Sequence, residues 1–136
     1  MKNPITPKQQ LNLLTSALEG GSNYWYELPD ISTLPKKGYN PKTRQIINDE
    51  INCPGIKDCL VNRLWEAVQA GKAIPVSDIE DETHLGYITK QGLEKACELM
   101  AEKYPFHYAD AVGENDDAIT GDVFLQLVVM GELIYG

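Results

Sequence analysis

Three adjacent aromatic residues, Tyr24, Trp25 and Tyr26, follow the double glycine Gly20-Gly21. Neighbours in an extended segment alternate sides, so three such rings cannot all enter one core. At least one must sit at the surface or line a groove, where it could stack on a nucleobase or other planar ligand for ~1–3 kcal/mol. The competing reading is a loop pinned to the core by amphipathic rings. A little downstream, Lys36, Lys37, Lys42 and Arg44 gather in an otherwise acidic chain. They could meet the phosphate of a ligand held by the aromatic loop, or simply be solvated.

The densest acidic stretch is Glu114-Asn115-Asp116-Asp117, followed by Thr120 and Asp122. Asp117 or Thr120 can cap a helix beginning here, with the charges favoured by its N-terminal dipole. A calcium loop is not formed, because no Glu stands at the twelfth position counted from Asp116. His107 lies near Asp110, a pairing able to do general-base work, while His84 stands alone. No Ser or Cys occupies a recognisable nucleophile setting, and no glycine-rich phosphate loop occurs. Cys53, Cys59 and Cys97 form neither a C-x-x-C zinc pattern nor a disulfide framework. No metal and no cofactor are expected.

These residues must be positioned by a chain of 136 residues, the size of one globular domain, expected over 1–136. Thr6, Pro7 and Gln9 make a capping box for a first helix, with Leu11, Leu14 and Leu18 on one stripe. Gly20-Gly21 reads as its left-handed end. The segment 22–40 reads as irregular, and Asn40-Pro41 as the start of a short helix to Ile51. Helices are expected from about Ile56 to Ala70, from Lys90 to Lys103 behind a Thr89 cap, and from about Ile119 to Met130. Between them Ala73–Ile79 and His84–Ile88 read as a hairpin with the acidic tip Glu80-Asp81-Glu82, and Phe106–Asp117 as irregular. The expected fold is α+β, mostly helical, with four to five helices and one small β-hairpin.

A net charge of −8 disfavours direct nucleic-acid binding. No apolar run approaches the ~18 residues of a membrane span, and the start MKNPITPKQQ lacks a signal peptide's apolar core. The expected place is the reducing cytoplasm. The closing run Leu127–Tyr135 could serve a homo-oligomer interface as readily as a core.

ALEGGSNYW (Ala17–Trp25), KYPFHYADAVGENDDAITGDVFLQ (Lys103–Gln126) and the ending VVMGELIYG together resemble a family of small, mostly uncharacterised proteins encoded by phages and prophages. The resemblance covers the first helix and loop and the C-terminal third, whereas Asp30–Ile56 looks particular to this chain. It implies a biological context, the cytoplasm of a bacterial host, and no chemistry. Asn23, His107, Asp110, Asn115, Asp116, Asp117 and Asp122 are polar residues of these stretches that packing alone explains poorly. If the stretches meet, they form one polar-aromatic pocket.

The resulting expectation is a non-enzymatic accessory protein acting in counter-defence. It would capture a small nucleotide-like ligand, with Tyr24, Trp25 and Tyr26 stacking and Lys36, Lys37 or Arg44 meeting phosphate. An alternative is an acidic inhibitor that mimics nucleic acid, anti-restriction or anti-CRISPR-like, whose Glu80–Glu82 and Glu114–Asp117 face binds a basic host protein. A third is a small hydrolase using His107 and Asp110.

Overall fold

The computed structural model of the chain describes residues 5–29, 39–40, 45–46, 56–114 and 117–135. Among the described residues, five α-helices and a small antiparallel sheet make an α+β fold that is mostly helical. Helix α1 (Pro7–Ser16) begins at Thr6, where the capping box forms in full. It runs on into a single π-type turn, Ala17–Gly21. Strand β1 (Tyr26–Glu27) follows, then the short antiparallel pair β2 (Tyr39–Asn40) and β3 (Gln45–Ile46). Next come α2 (Ile56–Gln69), β4 (Ile74–Asp78), β5 (His84–Ile88), α3 (Lys90–Lys103), α4 (Pro105–Val112) and α5 (Ala118–Met130).

Helix α5 is the centre of the molecule. Its residues from Thr120 to Val129 are all buried except Asp122, which is half-buried. An apolar helix of this kind has no solvent face to offer, so other elements must surround it. Helix α1, the π-type turn, α3, α4 and β5 all pack on it. Phe124 and Leu125 are fully enclosed, and burial of such side chains stabilises the fold by about 1.5–3 kcal/mol each.

Two glycines set how closely α1 meets α5. A Cβ on Gly121 would lie 2.9–3.0 Å from Ser16 Cβ, Ala17 N and Leu13 O, and one on Gly21 would lie 2.2 Å from Ala118 O. Gly20-Gly21 was expected to provide a left-handed helix end, but neither takes a positive φ. The helix instead widens into the π-type turn, and the demand on Gly21 is room for a neighbouring backbone rather than a special dihedral.

Three further expectations need correction. The hairpin β4–β5 forms with its acidic tip, but β1 adds a third strand on the β4 side, with Tyr26 opposite Asp78. Residues 39–40 and 45–46 pair as strands where a helix from Asn40-Pro41 to Ile51 was expected, and the rest of that expectation, 41–44 and 47–51, lies outside the described residues. Residues 106–112 are helical, because Pro105 ends α3 yet occupies the first turn of α4, where its missing N–H costs nothing. Cys97 is buried on α3 beside Leu93, Ala96 and Met100, as its place in the apolar stripe implied. Among the described residues no helix is long and apolar enough to cross a membrane.

Candidate functional site

The two distinctive stretches meet at Asp122, one turn into α5. Polar side chains in an otherwise buried helix must find partners, and Asp122 finds four. Its Oδ1 accepts from Ser22 Oγ at 2.7 Å and from Trp25 Nε1 at 2.8 Å. Its Oδ2 accepts from the Tyr24 hydroxyl at 2.6 Å and from Gln126 Nε2 at 3.3 Å. A carboxylate has about four lone-pair positions, so Asp122 is saturated by its own chain. It is a structural hub rather than a free acid.

Gln126, one helical turn on and buried, extends the hub to the C-terminal segment. Its Oε1 accepts the backbone N–H groups of Ile134 and Tyr135 at 2.8 and 2.9 Å, and its Nε2 donates to Tyr135 O at 3.0 Å. Gly131 adopts the left-handed conformation that ends α5 and turns the chain back for this. Tyr135 then lies stacked on Trp25, with ring centroids 5.1 Å apart and planes 10° from parallel. Its hydroxyl donates to Asp78 Oδ2 at 2.6 Å, tying the tail to the end of β4.

A groove of about 630 Å³ opens beside this network. Tyr24, His107, Asp122, Gln126 and Tyr135 bring polar atoms to its wall, while Ile119, Val123 and Leu133 supply apolar surface. Ile119 is largely exposed and Tyr24 is 51 % exposed, so an apolar face and an aromatic ring are both accessible. His107 reaches the groove from α4, with Nδ1 3.0 Å from Thr120 Oγ1 on α5.

The local electrostatics follow from these bonds. Burial, together with the hydrogen bond and charge of Asp122, pushes the Tyr24 hydroxyl up to about 12. The bond to Asp78 raises Tyr135 to about 12 as well, with burial and the nearby acids Asp81 and Glu80 adding to it. Asp78 itself is held below the ordinary carboxylate range by Tyr135 and by the backbone N–H groups of Glu80 and Asp81. Asp117, the N-cap of α5, is held low chiefly by the backbone N–H of Thr120. Tyr26 is raised by burial and by Glu19.

The expected site residues are only partly gathered by the fold. Tyr24 and His107 line the groove, and Asn23 is exposed at the turn before it. Trp25 is 1 % exposed and its ring is covered by Tyr135, so it backs the site and cannot stack on a ligand. Tyr26 is half-buried in β1, its hydroxyl donating to Leu18 O. Asp110 is exposed on α4, and the bond His107 makes is to Thr120 instead. Asp117 is exposed and serves as a cap. Lys36, Lys37, Arg44, Asn115 and Asp116 lie outside the described residues. Ser22, Gln126 and Tyr135 were missed. For Gln126 the available signal was the i, i+4 pair Asp122/Gln126, two polar residues on one face of an apolar run; Ser22 and Tyr135 carried none.

Comparison of the chain with protein-family models, curated proteins and solved structures finds no match in any of the three.

Proposed function

We propose that this chain is a phage- or prophage-encoded, non-enzymatic binding protein acting in counter-defence, which holds a small nucleotide-like ligand by its planar base. The observation that carries the reading is the groove formed where the two distinctive stretches meet. Its volume of about 630 Å³ falls in the ~300–1,000 Å³ range of small-molecule sites, and its mixture of apolar wall and a few polar groups is typical of them. Tyr24 supplies the accessible ring, and Ile119, Val123 and Leu133 the apolar wall. Lys36, Lys37 and Arg44 are the residues suited to a phosphate in this reading. The phage context rests on the resemblance of the sequence.

Calorimetry against a panel of nucleotides and cyclic signalling nucleotides tests the proposal. One member is expected to bind, and Tyr24→Ala to weaken it by roughly 10- to 100-fold, as loss of a ~1–3 kcal/mol stack requires. No heat from any of them ends it.

One observation favours a second reading. Among the described residues the lining of the groove contains the carboxylate of Asp122 and no Lys or Arg, and Glu80, Asp81, Glu82, Glu114 and Asp117 are exposed. An acidic inhibitor of a basic host protein would use such a surface. Its binding would weaken steeply with salt, since exposed charges are screened beyond ~8–10 Å. Capture from host lysate that ignores salt counts against it.

A further inference from the structure

Seven large apolar side chains are exposed among the described residues, and they are not scattered. Tyr24, Ile119 and Leu133 line the groove, while Phe106 and Ile134 stand next in the chain to the lining residues His107 and Leu133. The other two, Ile79 and Tyr87, belong to the hairpin. Phe106 is 88 % exposed and Ile119 66 %, so the fold leaves most of each side chain in water. Apolar side chains exposed singly need no explanation. A group of them around a concavity marks a surface that another molecule covers.

Charge says what kind of molecule that is. Every residue lining the groove falls within 9–35 or 104–136. Those two stretches hold nine of the chain's 20 acidic residues and none of its 12 basic ones. They carry −9 and the rest of the chain +1, so they account for the whole net charge of −8. Asp110, Glu114, Asp117 and Glu132 are exposed on them, and Asp122 stands in the groove wall. The four donors to Asp122 are all neutral groups, so its charge is shared among them and not cancelled. Such a face repels an acidic partner and attracts a basic one.

We infer that the groove is the docking surface for a basic protein segment. That segment seats an apolar side chain among Tyr24, Ile119, Val123 and Leu133 and sets Lys or Arg residues against the surrounding acids. The inference rests on the second reading, of an acidic inhibitor, and narrows it: contact is made at the groove and not at the hairpin tip Glu80–Glu82. Apolar contact at the centre supplies the affinity. Exposed charges at the rim speed the encounter and turn away acidic competitors.

Fluorescence anisotropy with short dye-labelled peptides tests this on the full chain. The probes are an amphipathic Leu/Lys peptide, a Leu/Glu peptide of inverted charge, and a Gly/Lys peptide with the same charge and no apolar anchor. The Leu/Lys peptide is expected to bind, the Gly/Lys peptide about tenfold more weakly, and the Leu/Glu peptide not at all. Ile119→Ser removes apolar surface alone and should weaken the Leu/Lys peptide about tenfold; Ile119→Lys adds a repelling cation and should weaken it further. Ile119 is mostly exposed, so both variants should unfold at the wild-type midpoint. Glu80→Gln, Asp81→Asn and Glu82→Gln together neutralise the tip and should change affinity by less than about twofold at physiological salt. No binding of the Leu/Lys peptide, or equal binding of the Gly/Lys peptide, overturns the inference. So does binding that survives Ile119→Lys and is lost with the tip; the acidic-inhibitor reading then stands on the tip alone. If the groove binds the Leu/Lys peptide but no basic host protein is held in a salt-sensitive way, the inhibitor reading falls and the docking chemistry stands.

Discussion

The Trp25 indole N–H donates to Asp122 Oδ1 at 2.8 Å across 97 positions of sequence. This bond joins the aromatic turn after α1 to the central helix, and it fixes Trp25 as a buried support rather than an open stacking surface. Tyr24, its neighbour, is the ring of that turn which lines the groove. One carboxylate thereby decides which aromatic residue is available.

Replacing Asp122 tests that hub. Asp122→Asn keeps the shape but turns one acceptor into a donor facing groups that already donate. Hydrogen bonds to a charged group contribute about 1.5–3 kcal/mol, and an unmatched buried donor costs a similar amount. The expected loss is about 2–4 kcal/mol of stability, read by urea unfolding. Trp25 fluorescence should shift to the red as the ring gains water.

The two adjacent glycines should behave oppositely. A Cβ at Gly21 would sit 2.2 Å from Ala118 O, whereas at Gly20 nothing lies within 4 Å and φ is not positive. Gly21→Ala must push the turn away from α5 and is expected to cost about 1–3 kcal/mol, as overpacking does. Gly20→Ala should be neutral or stabilise by up to ~1 kcal/mol through the unfolded chain. Thermal melts of the two variants make the comparison.

Alkaline titration should separate two of the seven tyrosines. Tyr24 and Tyr135 are each raised to about 12 from an ordinary value of 10. A hydroxyl harder to deprotonate in the folded state contributes stability that is complete below pH 10 and is lost as pH climbs toward 12. Absorbance at about 295 nm should show them ionising late, and Asp78→Asn should bring Tyr135 back toward its ordinary value. Asp78 has the opposite sign: lowered in the fold, it contributes stability above about pH 4 that fades as pH falls through its folded value.

Gln126 is expected to govern the C-terminal segment. Gln126→Leu matches the apolar helix but strands the backbone N–H groups of Ile134 and Tyr135. The cost is about 1–3 kcal/mol for each donor that cannot reach water. The tail should relieve this by lifting off, so that hydrogen exchange at residues 133–135 accelerates while α3 stays protected. Unchanged exchange in the tail would show that the Tyr135 stack and the Asp78 bond suffice without Gln126.

Local signals account for what was legible beforehand. Thr6, Pro7 and Gln9 start α1, Thr89 starts α3, Asp117 starts α5, and the period-two runs around Glu80–Glu82 make the hairpin. Each depends on atoms within a few residues, so the sequence by itself determined them. The apolar run after Thr120 likewise settled that α5 would be central. Pro105 misled because the same ring both stops one helix and starts another. Strand β1 carried no pattern, since two residues have no period; it exists only because β4 offers an edge.

The site divides in the same way. Sequence was enough to mark Tyr24, Trp25, His107 and Asp122 as polar or aromatic residues with work to do beyond filling a core. Which of them face each other was decided by the crossing of α1 and α5, where Gly21 and Gly121 let two backbones approach. That contact sets Asp122 among Ser22, Tyr24 and Trp25, and Thr120 against His107. Pairings across about a hundred residues leave no local trace, because packing rather than spacing selects them.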